Sequence, residues 1–139
     1  MDEILFKPPP VEVKVTQKFA HNLRLLSKKY RDVRKDLNSG VLEEVQKGNL
    51  LGEHIPCVSQ EYAVYKARCK NTNAARGKRG GYRIVYCVSL LEGYENCIEV
   101  FLLTIYSKSD QEDISPKEIA EIIENYVLVS ALAPISTLG

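Results

Sequence analysis

Val11, Val13 and Val15 alternate with Glu12, Lys14 and Thr16, the period-two pattern of a strand with one wet face. The period then lengthens. Phe19, Leu23, Leu26 and Tyr30 recur at spacings of three and four, which puts them on one face of a helix. Val33, Leu37, Val41 and Val45 continue at four-residue spacing, so a second helix follows a break near Arg31. Gly48 is placed to end it, because the residue just past a helix often takes positive φ. Two amphipathic helices with a short joint predict an antiparallel hairpin packed on a sheet. "GNLLGEHIP" reads as loop. "YAVYKARCK" is a strand by alternation, with helix left open on period alone, and "YRIVYCVSL" is a stronger strand, rich in β-branched and aromatic residues. "IEVFLLTIY" is almost continuously apolar, as in a central strand covered on both faces or a short buried segment. "LEGYEN", centred on Gly93, predicts the hairpin turn between these last two strands. "SPKE" opens a final helix, with Ser115 as N-cap, Pro116 in the first turn and Glu118 closing a capping box. Ile119, Ile122, Ile123 and Tyr126 form its apolar face.

The predicted order is β-α-α-β-β-β-α, an α+β fold with its helices segregated to one side of the sheet. Residues 1–10 read as an extended arm, because "KPPP" can start neither a helix nor a central strand. Residues 11–125 form the single domain that 139 residues imply, and 126–139 an uncharged tail. No apolar run approaches the ~18 residues of a membrane-spanning helix. The start, "MDEILFKPPP", has acids where a signal peptide has bases, so the expected location is cytoplasmic, with no membrane partner. Cys57, Cys69, Cys87 and Cys97 form no C-x-x-C pair and read as reduced, half-buried thiols. His54 stands three residues before Cys57, but with only one other histidine in the chain neither a zinc site nor any other metal or cofactor is expected.

The net charge of +1 conceals a segregation. Between Glu61 and Glu92 there is no acid, while Lys66, Arg68, Lys70, Arg76, Lys78, Arg79 and Arg83 supply seven cations. From Asp110 to Glu124 six acids face Lys117 alone. Local excess of this size points to phosphate-bearing partners. Alternation places Lys66, Arg68 and Lys70 on one strand face, opposite Tyr65, Ala67 and Cys69. Like charges in register repel, and an ordinary solvated face mixes signs. Arg83 shares a face with Val85 and Cys87; if its strand pairs with "VYKARCK", it lies across from that cationic row. Gly77, Gly80 and Gly81 let backbone amides approach an anion, though "RGKRGG" lacks the spacing of a P-loop and equally suits a charged hairpin loop. No Ser-His-Asp set is visible, and no carboxylate pair lies near the cations for a metal nuclease. Metal-free RNA cleavage fits what remains: the 2′-hydroxyl attacks the neighbouring phosphate, with a base, an acid and cations for the developing charge. A lysine crowded by Arg68 and Lys70 suits the base, and a tyrosine the acid.

The segments "YKARCK", "RGKRGGYRIVY" and "FLLTIYSKSDQEDIS" resemble the RelE/ParE superfamily of bacterial type II toxins, especially its HigB-like branch, over about residues 11–125. The resemblance implies a small antiparallel-dominated sheet with an N-terminal α-helical hairpin and a C-terminal helix. It implies a ribosome-dependent mRNA endonuclease that inhibits translation, neutralised by a cognate antitoxin, a helix-turn-helix protein encoded beside it. The family's functional cations match Lys66, Arg68 (arginine for lysine), Arg83 and, after the last strand, Lys108. The pattern departs at Ser109, where the family has an arginine, and at Ser115, where it has a tyrosine. Tyr106 is therefore the substitute acid, with Tyr82 and Tyr86 as alternatives. Lys66, Arg68, Arg83 and Tyr106 are the expected catalytic set, and Lys70, Arg76, Lys78, Arg79 and Lys108 the expected contacts to RNA or ribosome. Competing readings are a ParE-like protein that inhibits DNA gyrase by binding alone, or an attenuated binding module.

Overall fold

A computed structural model describes residues 11–74, 80–90 and 98–128. Strands β1 (Val11–Val15), β2 (Glu53–Ile55), β3 (Ala63–Cys69), β4 (Tyr82–Leu90) and β5 (Ile98–Ser107) form one sheet in the order β1-β5-β4-β3-β2. β1 runs parallel to β5, and every other neighbouring pair is antiparallel. The helices are α1 (Gln17–Lys29), α2 (Val33–Leu37), α3 (Glu43–Gln46) and α4 (Pro116–Ile122). The fold is thus α+β with a mostly antiparallel sheet, having one strand more than the sequence pattern predicts. The extra strand is β2, three residues long, too short to show a period within a stretch that reads as loop. The predicted arm, the turn "LEGYEN" and the end of the tail lie outside the described residues, as do Arg76, Lys78, Arg79 and Cys97.

Thr16 ends β1 and starts α1: its hydroxyl oxygen accepts from the Phe19 amide at 3.1 Å and donates to the Leu102 carbonyl at 2.8 Å. One side chain therefore caps a helix and ties it to the central strand. The second predicted helix runs from α2 to α3 through a wider, π-type turn at Asn38–Leu42. Four-residue spacing drifts by about 40° per step in a regular α-helix of 3.6 residues per turn. A wider turn absorbs that drift, and Val33, Leu37, Val41 and Val45 are all buried on one face. Gly48, with φ +93°, ends the segment as predicted.

The hairpin packs Phe19, Tyr30 and these four residues against Ala67, Cys69, Tyr82, Ile84, Tyr86 and Leu102 on one face of the sheet. The opposite face carries Val64, Val85, Cys87, Phe101 and Leu103, covered by Ile114, Ile119, Ile122, Ile123 and Val127. The expectation of helices on one side is therefore corrected. β5 is apolar on both faces, so the face away from the hairpin must also be covered, and α4 does so. The capping box at Ser115 is formed as predicted, with Pro116 in the first turn. Two of the thiols expected to be half-buried, Cys69 and Cys87, are buried, whereas Cys57 is exposed. Among the described residues no helix is long and apolar enough to cross a membrane.

Candidate functional site

α4 and the segment leading to it leave the β3–β4–β5 end of their face uncovered. There a cleft of about 630 Å³ is lined by Leu51, Gly52, Glu53, Lys66, Arg68, Arg83, Tyr106, Lys108, Glu112 and Asp113. Its floor is set by strand register. Arg68 pairs with Arg83, and Arg83 with Tyr106, so three polar side chains form a row across three strands. Lys66, two residues before Arg68, stands on the same face across from Glu53 of β2. The predicted alignment of Arg83 with the β3 cations is thus found.

Tyr106 reaches this face because of a bulge. The register between β4 and β5 shifts at Val85/Tyr86, where Val85 pairs with Thr104 but Tyr86 with Leu102. Strict alternation from Leu102 would send Tyr106 to the hairpin side; the extra residue re-aims it beside Arg83. Tyr82 and Tyr86, the alternative acids, are corrected: both lie in the core under the hairpin. The Tyr86 hydroxyl donates to the Leu51 carbonyl, and neither residue lines the cleft.

Arg83 is only 7% exposed, although its partner Arg68 is exposed. Burial, and then the Arg68 charge, hold its guanidinium below the usual arginine value, against the pull of Tyr106 and Asp113. Its Nη1 donates to the Tyr82 carbonyl at 3.3 Å. Burial, reinforced by Asp113 and opposed by Arg83, pushes the Tyr106 phenol up to about 12. At neutral pH it is a proton donor.

The surroundings of Lys66 differ from the all-cation environment that the sequence predicts. Its Nζ lies 2.8 Å from Asp113 Oδ1, so its nearest partner is a carboxylate rather than Arg68 or Lys70. The same oxygen accepts from the Ile114 amide at 2.8 Å and faces the Tyr106 hydroxyl at 3.5 Å. The hydrogen bond from Lys66, then that from the Ile114 amide, hold Asp113 below the ordinary carboxylate range. Sequence reasoning missed Asp113 and Glu112 because they are remote in the chain from the acid-free stretch, and Glu53 because it lies in a stretch that reads as loop. The signal was present in the run Asp110–Asp113 directly after β5, since β5 ends beside the start of β4, where Tyr82 pairs with Ser107.

Lys108 lines the cleft as expected and donates from Nζ to the Glu112 carbonyl. Lys70 follows the last residue of β3, is exposed, and does not line it. Ser109 turns away from the floor to share a hydrogen bond with Ser107 at 2.9 Å, and Ser115 is committed to its helix cap. His54, predicted in a loop, belongs to β2 and packs its ring 5.4 Å from that of Tyr65. The chain just after β3 is anchored: the buried Asp36 accepts from the Thr72 amide and hydroxyl, and the Asp32 amide donates to Asn73. The chain matches no protein-family model, and no curated protein is similar enough to it to indicate kinship.

Proposed function

We propose that the protein is the toxin of a type II toxin–antitoxin pair, a metal-independent endoribonuclease that cuts mRNA on the ribosome and stops translation. The observation that carries this reading is the Arg68–Arg83–Tyr106 row on the floor of the cleft. Two guanidiniums side by side suit the charge that develops on a phosphate under attack by the neighbouring 2′-hydroxyl. A phenol held protonated at neutral pH suits donation of a proton to the departing 5′-oxygen. Lys66 and Lys108 flank the row and suit the oxygens of the phosphate, while the attacking 2′-hydroxyl passes its proton to solvent water. Arg76, Lys78 and Arg79, which precede β4 in the sequence, add charge for RNA or ribosome contact. The partner that silences such a site is a cognate antitoxin, a helix-turn-helix protein encoded beside it, whose acidic segment covers the cleft and whose affinity falls with added salt.

The test is primer extension on mRNA from a translating extract given wild-type protein or Arg83→Gln, with thermal unfolding to show that the variant folds. Loss of cleavage in a folded variant is the expected result. Retained cleavage would overturn the assignment of Arg83.

A specific observation favours a second reading, inhibition of DNA gyrase by binding alone. Ser115, where the resembled family carries a tyrosine, is occupied as a helix cap. Induction in cells separates the two, because translation fails first under one reading and supercoiling under the other.

A further inference from the structure

We infer that Asp113 is an internal competitor for the phosphate: its carboxylate occupies the anion position of the cleft, and a phosphodiester takes that position by displacing it from Lys66. The inference rests on the reading of the cleft as an RNA site and adds how that site is guarded. Three donors converge on one oxygen of Asp113, namely the ammonium of Lys66, the amide of Ile114 and, at longer range, the hydroxyl of Tyr106. Convergent donors of this kind are what a phosphate oxygen meets in a binding site.

The two partners differ in freedom. The Lys66 side chain is 19% exposed and that of Asp113 is 64% exposed, so the acid has room to swing out while the lysine stays. Residues 111–115 form no regular element. The segment is held from behind by the buried Ile114, by Gln111 Nε2 donating to the Asp113 carbonyl and by Lys108 Nζ donating to the Glu112 carbonyl. Those bonds survive a change of side-chain rotamer at Asp113. An incoming phosphate therefore has to replace one ion pair and the Ile114 amide bond to the same oxygen, with no unfolding of the segment.

A short single-stranded RNA with 2′-O-methyl groups, which binds but cannot be cut, tests this by fluorescence anisotropy on the full chain. Asp113→Asn should tighten binding about three- to fivefold, the range an exposed ion pair reaches when expressed as an equilibrium constant. It should also steepen the dependence of log K on log salt by about 0.7, because Lys66 then releases a counterion of its own. Glu112→Gln removes the same charge from the same segment without touching Lys66 and should give less than half the gain. In a Lys66→Ala background the effect of Asp113→Asn should shrink to that of Glu112→Gln. Equal gains from the two acid variants, a gain that survives Lys66→Ala, or weaker binding by Asp113→Asn would overturn the inference. Binding that behaves as expected without any cleavage of unmodified mRNA supports the competitor and sinks the nuclease. Cleavage with no gain in Asp113→Asn sinks the competitor alone, and no binding by wild type or variants sinks both.

Discussion

Gly52→Ala is expected to damage the cleft from its rim. Gly52 has φ +104°, and a Cβ there would lie 2.4 Å from the Lys66 carbonyl oxygen, 2.7 Å from its carbon and 2.8 Å from Ala67 Cα. Gly48 provides the internal reference: its φ is +93°, and a Cβ would meet nothing within 4 Å. Alanine at either site carries the backbone penalty of an unfavourable φ, on the order of 1 kcal/mol or somewhat more. Only Gly52 adds a collision, and it is with strand backbone that cannot rotate away. Ordinary contact begins at 3.4 Å, so β2 must retreat about 1 Å from β3 (from 2.4 to 3.4 Å). Forced overpacking adds about 1–3 kcal/mol, for a total of about 2–5 kcal/mol. Urea unfolding followed by circular dichroism should rank wild type above Gly48→Ala and Gly48→Ala well above Gly52→Ala. Because β2 has three residues at a sheet edge, part of the cost will appear as local opening. Hydrogen exchange at residues 53–55 reads that part. A Gly52→Ala protein no less stable than Gly48→Ala, with unchanged exchange in β2, would refute the reasoning.

Ser115→Ala should cost about 1 kcal/mol by removing the hydroxyl that accepts from the Glu118 amide, one half of the capping box, whereas Ser115→Thr should retain most of that stability in a thermal melt. Asp113 sits below its ordinary value, so the stability it contributes is fully present above the unfolded value of about 3.9 and is lost as pH falls through the depressed folded one. Unfolding midpoints of wild type and Asp113→Asn should therefore converge in acid; midpoints that diverge there would contradict the sign. Burial first, then Glu99, pushes the Cys87 thiol up to about 12, while Cys57 is exposed. A thiol reagent near neutral pH should modify Cys57 far faster than Cys87, read by peptide mass, and rapid labelling of Cys87 in folded protein would show the core to be open.

Much of the fold can be read where local periodicity and burial agree. The four-residue spacing of Val33, Leu37, Val41 and Val45, the alternation in β3 and β4, Gly48 and the capping box all carry their own geometry, and each is found as predicted. Layering was misjudged, although the evidence lay in β5. A strand of near-continuous apolar residues already requires cover on both faces, which contradicts helices on one side only. The parallel partnership of β1 with β5 is different in kind. Alternation fixes which way side chains point but not which strand lies alongside, and no short turn joins the two. At the site, the Arg68–Arg83 pairing followed from alternation plus one assumed hairpin. The facing of Tyr106 did not, because a bulge leaves no mark in the hydrophobic pattern of a strand whose both faces are apolar.

The two blocks of opposite charge meet for a topological reason. β5 ends beside the start of β4, with the Lys108 amide bonded to the Gly81 carbonyl, yet α4 packs on the face opposite the hairpin. The chain between them must pass the open end of that face, so Asp113 comes to rest against Lys66 and Glu112 lines the same cleft as Arg68 and Arg83. Exposed carboxylates at the rim disfavour a phosphate that stops beside them, and the buried Arg83 guanidinium on the floor favours one that reaches it. The floor row crosses three strands, two spacings of about 4.8 Å, or about 10 Å, which is narrow for a duplex and suited to a single strand. For the RNA ligand proposed above, a single-stranded oligonucleotide should therefore outcompete a duplex of the same sequence for Arg68 and Arg83. The preference should weaken when Glu53 and Glu112 are made glutamine together, because the rim then no longer discriminates. A duplex that binds as well as the single strand to wild-type protein would place the contact on the outer surface rather than on the floor.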